Sequence, residues 1–195
     1  MAGFKKIAHR GASGHYPENT RLAFTKAIEA GADMIELDCQ LSLDGHVVVF
    51  HDEQLRRTAG ARGPLRGRTL AQLKSLDIGR WRGPACKGER ILTLEEALEV
   101  FAGKADLCLE IKNYPQSLAG IELKVLFILS HYDYLERTIV TSFDYRSLAR
   151  IRELAPDIAI GLNCGSAACQ DPLDAARQLA ATSLHVPKNF ATRAL

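Results

Sequence analysis

The sequence predicts an α/β fold built on a parallel sheet, and three observations predict it. Strand-like apolar runs alternate with helix-like segments six times along the 195 residues. The links between them are mostly short, as right-handed β-α-β units require. The runs are nearly continuous in apolar residues, the pattern of strands covered on both faces.

Each element follows from local signals. Phe4–Ala8 reads as a first strand. Thr20–Ala30 reads as a helix, with Asn19 or Thr20 as N-cap and Gly31 as its C′ stop. Met34–Gln40 is a second strand, and the Asp44-Gly45 turn lets Val47–Phe50 pair back as a hairpin. Residues 53–90 carry no long periodic pattern beyond a short helix from Thr69 to Ser75. Thr93 can cap a helix to Phe101. Further strands are expected over Asp106–Ile111, Thr138–Thr141, Ile158–Leu162 and Ser183–Val186. Helices are expected over Ser117–Ser130, Asp144–Leu154 and Pro172–Ala180. With no repeat, linker or low-complexity stretch, residues 1–195 are expected to form one domain.

Composition narrows the function classes. At 47% hydrophobic and 25% charged residues the chain reads as soluble and globular. A net charge of +2 gives no argument for nucleic acid. Met1–Lys6 lacks the apolar core of a signal peptide, and no run reaches the ~18 apolar residues of a membrane span. Five scattered cysteines, Cys39, Cys86, Cys108, Cys164 and Cys169, fit reduced thiols, so a cytoplasmic location is expected. Charge is uneven: residues 53–90 carry ten Lys or Arg against three acids, leaving −5 for the rest. That segment is either a solvated basic flap or a rim that attracts an anionic substrate.

Four polar patches punctuate the apolar runs: His9-Arg10, Glu36-x-Asp38, His51-Asp52 and Glu110-x-Lys112. Residues i and i+2 on a strand share a face. Buried carboxylates there are costly unless paired or bound to a cation. Glu36, Asp38 and Glu110 are hard oxygen ligands, suited to Mg²⁺ or Ca²⁺ and not to Zn²⁺. His9 and His51 titrate near neutrality and are candidates for a general acid and base, where a lone strand-end histidine is more often structural. Arg10 and Lys112 are candidates for holding a phosphate, although Lys112 could simply neutralise Glu110. His15 sits in a Gly-rich loop that could line the mouth. His46 and His131 read as solvated, and His185 takes no role.

These residues also fall in an ordered series: His9-Arg10-Gly11, Pro17-Glu18-Asn19-Thr20, Ala23-Phe24, Gly31-Ala32-Asp33, Glu36-x-Asp38, Asp44-Gly45, Val48-Val49-x-His51-Asp52, Thr93-Leu94-Glu95-Glu96 and Glu110-Ile111-Lys112. The series resembles the glycerophosphodiester phosphodiesterase family, a (β/α)8 TIM barrel with a small insertion after the second strand, which the resemblance places at about residues 53–90. The resemblance implies catalytic roles for His9 and His51, metal ligation by Glu36, Asp38 and Glu110, and phosphate contacts from Arg10 and Lys112. It implies Mg²⁺ or Ca²⁺ as cofactor, and glycerophosphodiesters hydrolysed to glycerol 3-phosphate and an alcohol. It covers residues 7–112 closely and residues 113–186 only as a β/α pattern.

A barrel of this kind takes ~250 residues, so the expectation is six βα units here and two further ones in a longer native chain. Open first and sixth strands would otherwise invite association of two copies. No stable membrane insertion and no nucleic-acid partner are expected. Two alternatives stand beside the main reading. One is a phospholipase D-like activity on lysophospholipids, which should need an apolar entrance. The other is a non-catalytic phosphate-binding module, which would need no acid–base pair.

Overall fold

The structure, a computed structural model, describes residues 4–101, 103–113, 120–165 and 172–187. The first half runs β1 (Ile7–His9), α1 (Arg21–Glu29), β2 (Met34–Leu41), β3 (Val47–Val49), α2 (Arg56–Ala59), α3 (Leu70–Lys74), β4 (Leu92–Thr93) and α4 (Leu94–Phe101). The second half runs β5 (Asp106–Ile111), α5 (Ile121–His131), β6 (Thr138–Ser142), α6 (Tyr145–Leu154), β7 (Ala159–Asn163), α7 (Pro172–Gln178) and β8 (Ser183–His185).

The sheet is centred on β2. Its first half pairs in parallel with β1, Ile7 opposite Met34 and His9 opposite Glu36. Beyond β1 the same edge is taken by β3, running antiparallel with Val49 opposite Cys39. On the other edge the order is β5, β6, β7 and β8, all parallel. Six parallel strands joined by helices make the wall of a β/α barrel, with the antiparallel pair β3 and β4 flanking residues 53–90. Among the described residues, β1 pairs only with β2 and β8 only with β7, so each keeps one free edge.

All eight residues of β2 are buried. Ile35, Leu37, Cys39 and Leu41 join the main core with Phe24 and Ala27 of α1 and Leu94, Ala97, Leu98 and Phe101 of α4. Phe24 and Phe101 meet edge to face, with ring centroids 5.3 Å apart. Each such Leu, Ile or Phe contributes about 1.5–3 kcal/mol of burial energy. That contribution offsets the cost of Glu36, Asp38 and Gln40 on the opposite face of the same strand. Thr20 caps α1 by accepting from Ala23 N, while Thr93 and Glu96 cap the start of α4 reciprocally.

Three expectations need correction. The first strand begins at Ile7 and not Phe4, because Lys6 O is taken by the amides of Asp33 and Met34 and Phe4 stands in solvent. Residues 53–90 hold more structure than one helix. They carry α2, α3 and three short 3-10 turns around a second core of Val48, Phe50, Leu55, Leu65, Leu73, Ile78 and Ile91. Single apolar anchors separated by turns leave no helical period to read. The helix expected from Ser117 starts at Ile121; residues 117–119 lie outside the described residues. Cys39, Cys86 and Cys108 are free thiols, and Cys169 lies outside the described residues. Among the described residues no helix is long and apolar enough to cross a membrane.

Candidate active site

Register builds the site. Asp38 on β2 stands opposite Glu110 on β5, and Glu36 opposite Cys108, so the three carboxylates share one face of adjacent strands. Glu36, Asp38 and Glu110 each offer an oxygen within 4.8 Å of the others. Two oxygens on one Mg²⁺ or Ca²⁺ lie at most about 4–5 Å apart, twice the ligand distance, so the set fits a single hard cation. Asp38 carries an orphaned acceptor: its buried Oδ1 has no hydrogen bond, while Oδ2 accepts from Asn19 Nδ2 at 2.8 Å. Burial and the neighbouring Asp38 charge push the Glu36 carboxyl well above the ordinary range, despite the Arg10 amide that donates to it at 2.7 Å. Burial likewise pushes Glu110 up, against the opposing pull of Lys112. Bare carboxylates are thus disfavoured here, which is the condition a divalent cation relieves.

The two cations meet this cluster from opposite sides. Lys112 Nζ lies 2.7 Å from Glu110 and 3.7 Å from Asp38. Arg10 Nε lies 3.3 Å from Asp38, and Arg10 NH1 donates to Glu18 at 2.9 Å. Arg10 adopts a left-handed φ of 56° at the end of β1, followed by Gly11 at 77°. That turn sends the Arg10 side chain back over β2.

The two imidazoles reach the site by different routes. His9 ends β1, its Nε2 3.9 Å from Glu36, and its side chain is 68% exposed. Burial of its inner edge and the adjacent Arg10 charge hold its pKa below the ordinary imidazole value. His51 follows β3, where Gln40 Nε2 donates to the carbonyls of Phe50, His51 and Asp52 at 2.9, 3.2 and 2.9 Å. Its Nδ1 is 2.6 Å from Asp52 Oδ1.

A cavity of about 440 Å³ gathers His9, Arg10, Glu36, His51, Glu110 and Lys112 on its walls. Asp38 lies just beneath, in contact with Arg10 and Lys112. All seven residues singled out in the sequence therefore converge. His15 does not: it lines a separate cavity beside β1 and α1. His46 and His131 are exposed, as expected.

Several neighbours outside that set also line the cavity. Phe143, Asn163, Cys164 and His185 complete the far wall. His185 comes in because Gly161 leaves room: a Cβ there would stand 2.7 Å from His185 Nε2. Gln40 continues the Glu36, Asp38 spacing by two more residues, a signal that was available. Arg57 was not singled out among the basic residues of the insertion. Its Nε and NH2 donate to Asp52 at 2.6 and 2.8 Å, and its NH1 and NH2 to Glu18 at 2.7 Å each. Burial pushes the Glu18 and Asp52 carboxyls up, but Arg57, with Arg10 on Glu18 and His51 on Asp52, outweighs it and holds both below their ordinary values.

A parallel β/α sheet whose strand ends gather two imidazoles, two cations and three carboxylates defines the class: a β/α-barrel protein with a charged cavity at its mouth. The Glycerophosphoryl diester phosphodiesterase family model matches residues 9–192, and the chain belongs to that family. Bacillus subtilis YhdW is 48% identical over 152 residues, 78% of this chain and 62% of its own length. A glycerophosphodiester phosphodiesterase of Caldanaerobacter subterraneus is 43% identical over 182 residues, covering 92% of this chain and 74% of that protein. The chain thus spans roughly two thirds of the length of these relatives. An Oleispira antarctica phosphodiesterase, solved in complex with the product sn-glycerol-3-phosphate, superposes with a TM-score of 0.87 at 35% identity. The match covers 97% of this chain and 77% of that one. The fold is that of the (β/α)8 TIM barrel.

Proposed function

We propose that this chain hydrolyses glycerophosphodiesters to glycerol 3-phosphate and an alcohol, with a divalent metal, Mg²⁺ or Ca²⁺, held by Glu36, Asp38 and Glu110. The observation that carries the reading is one cavity lined by both histidines, both cations and the carboxylates Glu36 and Glu110, with Asp38 held against Arg10 and Lys112. The product found in the Oleispira antarctica structure supports the same substrate class. When bound, the metal supplies positive charge that stabilises the phosphoryl oxygens as negative charge builds.

The protein's own groups do the rest. Arg10 and Lys112 project cationic donors into the cavity and orient the phosphate. Asp52 holds the His51 Nδ1–H, which leaves Nε2 free to take the proton of the attacking oxygen: either a water, which gives glycerol 3-phosphate directly, or the substrate's 2-hydroxyl, which gives a cyclic phosphate that a water opens to glycerol 3-phosphate in a second step. Asp52 then stabilises the imidazolium that forms, the role a carboxylate plays behind a general base. His9, across the cavity, gives its proton to the leaving alkoxide. Its depressed pKa makes the protonated ring a readier donor.

Substrates are water-soluble and deacylated. The insertion beside the site is basic, and Trp81 is its large exposed apolar residue. That surface suits an anionic, polar substrate better than a lysophospholipid tail.

The test is turnover of glycerophosphocholine, a lysophospholipid and a generic diester, with and without Mg²⁺ or Ca²⁺. Glycerophosphocholine turnover that chelation abolishes is expected, together with losses of about 10²- to 10⁴-fold in His9→Ala and His51→Ala. Near-wild-type turnover in both variants, or full activity after exhaustive chelation, would overturn the reading. Added Mg²⁺ or Ca²⁺ should also raise Tm, since saturation at 100-fold over Kd contributes about 2.7 kcal/mol.

A further inference from the structure

We propose that Arg57 is a positioning residue which sets His51 and Arg10 in one frame, making the insertion a working part of the site. The inference rests on the phosphodiesterase reading above.

One guanidinium joins two carboxylates that each hold a residue of the cavity. Arg57 lies on the single-turn helix α2, anchored by the buried Leu55 and Thr58 on either side. Two of its nitrogens meet both oxygens of Asp52, and two meet both oxygens of Glu18, at 2.6–2.8 Å. Each carboxylate has a second partner in the cavity. Asp52 Oδ1 holds His51 Nδ1 at 2.6 Å, and Glu18 Oε1 holds Arg10 NH1 at 2.9 Å. A proton-transfer group and a phosphate cation therefore hang from one planar fork. Arginine is required for this: a lysine offers a point charge and cannot present two bidentate faces. As a surface staple the network would matter little, because half-exposed pairs contribute about 0–1 kcal/mol. Its effect is on orientation, where small displacements of a catalytic group cost far more.

The experiment uses the full chain with Mg²⁺ and glycerophosphocholine, comparing wild type with Arg57→Lys, Arg57→Met, Asp52→Asn and Glu18→Gln. Asp52→Asn should lower kcat and Glu18→Gln should raise KM. Arg57→Met should do both, with kcat down about 10²-fold, and Arg57→Lys should recover little. Methylguanidinium should restore part of the Arg57→Met activity, and Tm at neutral pH should move by only a few degrees. Two readouts are independent of turnover. Imidazole ¹⁵N spectra should show a fixed Nδ1–H tautomer at His51 in wild type and a mixture in Arg57→Met. Inorganic phosphate should bind the variant several-fold more weakly.

Wild-type kcat and KM in Arg57→Met would overturn the proposal. So would a loss that tracks Tm with no guanidinium recovery, or unchanged His51 spectra and phosphate affinity. A wild-type protein without turnover would sink the phosphodiesterase reading instead, and the spectra and phosphate binding would still decide the role of Arg57.

Discussion

His51 Nδ1 stands 2.6 Å from Asp52 Oδ1, so two neighbours in sequence turn their side chains on each other. The chain permits this because Gln40 clamps the carbonyls of residues 50–52 as they leave β3. The contact ties Nδ1, and in the proposed mechanism Nε2 is the nitrogen that takes the proton. Asp52→Asn keeps the shape and removes the charge behind the ring. We expect kcat to fall about 10²-fold or more with KM little changed, measured by steady-state kinetics. An unchanged kcat would mean that the pair is ornamental.

Asn19 supports the acidic cluster from behind. It combines a left-handed φ of 57° with the hydrogen bond from Nδ2 to the buried Asp38. Asn19→Ala loses both, and leaves a buried carboxylate oxygen short of a donor. It should destabilise the fold by about 1–3 kcal/mol in denaturant titration. It should also weaken Mg²⁺ or Ca²⁺ about 10- to 100-fold in a metal titration of activity. Asn19→Gly tolerates the backbone, so it should recover stability but not metal affinity.

Acid should loosen the contact between insertion and barrel. Glu18 and Asp52 have folded pKa values below their ordinary ones, so near pH 4 the unfolded chain binds more protons. Their contribution is therefore fully present above their ordinary values and is lost as pH falls through the folded ones. Thermal unfolding between about pH 3 and 6 should show this slope in wild type and a shallower one in Arg57→Met. Parallel curves would contradict the assignment.

Gly11 is required by geometry. Its φ is +77°, and a Cβ there would stand 2.7 Å from the Ala23 carbonyl carbon and 2.8 Å from its oxygen. That carbonyl accepts from Ala12 N, which locks the loop after β1 onto α1. Gly11→Ala should cost at least about 1–3 kcal/mol for the backbone alone. Arg10, its neighbour, should lose its aim over β2, so phosphate inhibition should weaken together with Tm.

Much of this was legible in the residues. Apolar runs broken by Glu36-x-Asp38 and Glu110-x-Lys112 marked both strands and the face that carries the acidic cluster, because side chains on a strand alternate with period two. Thr20 and Thr93 announced their helices, since each side chain accepts from an orphan N–H of the first turn. The insertion was not legible. Leu55, Leu65, Leu73 and Ile78 reach their core from turns, with no period to reveal them. Nor was Arg57, one of ten basic residues in a stretch whose charge alone was visible.

The sequence by itself determined the β/α order, the hard-oxygen character of the carboxylate set and the seven residues of the candidate site. These depend on spacing and side-chain chemistry, which are local. Only the tertiary structure decided which oxygens face each other, that Gly161 admits His185, and that Arg57 joins Asp52 to Glu18. Those depend on strand register and on a loop folding back across some forty residues, where the partners of a charge are chosen by packing and not by sequence neighbours.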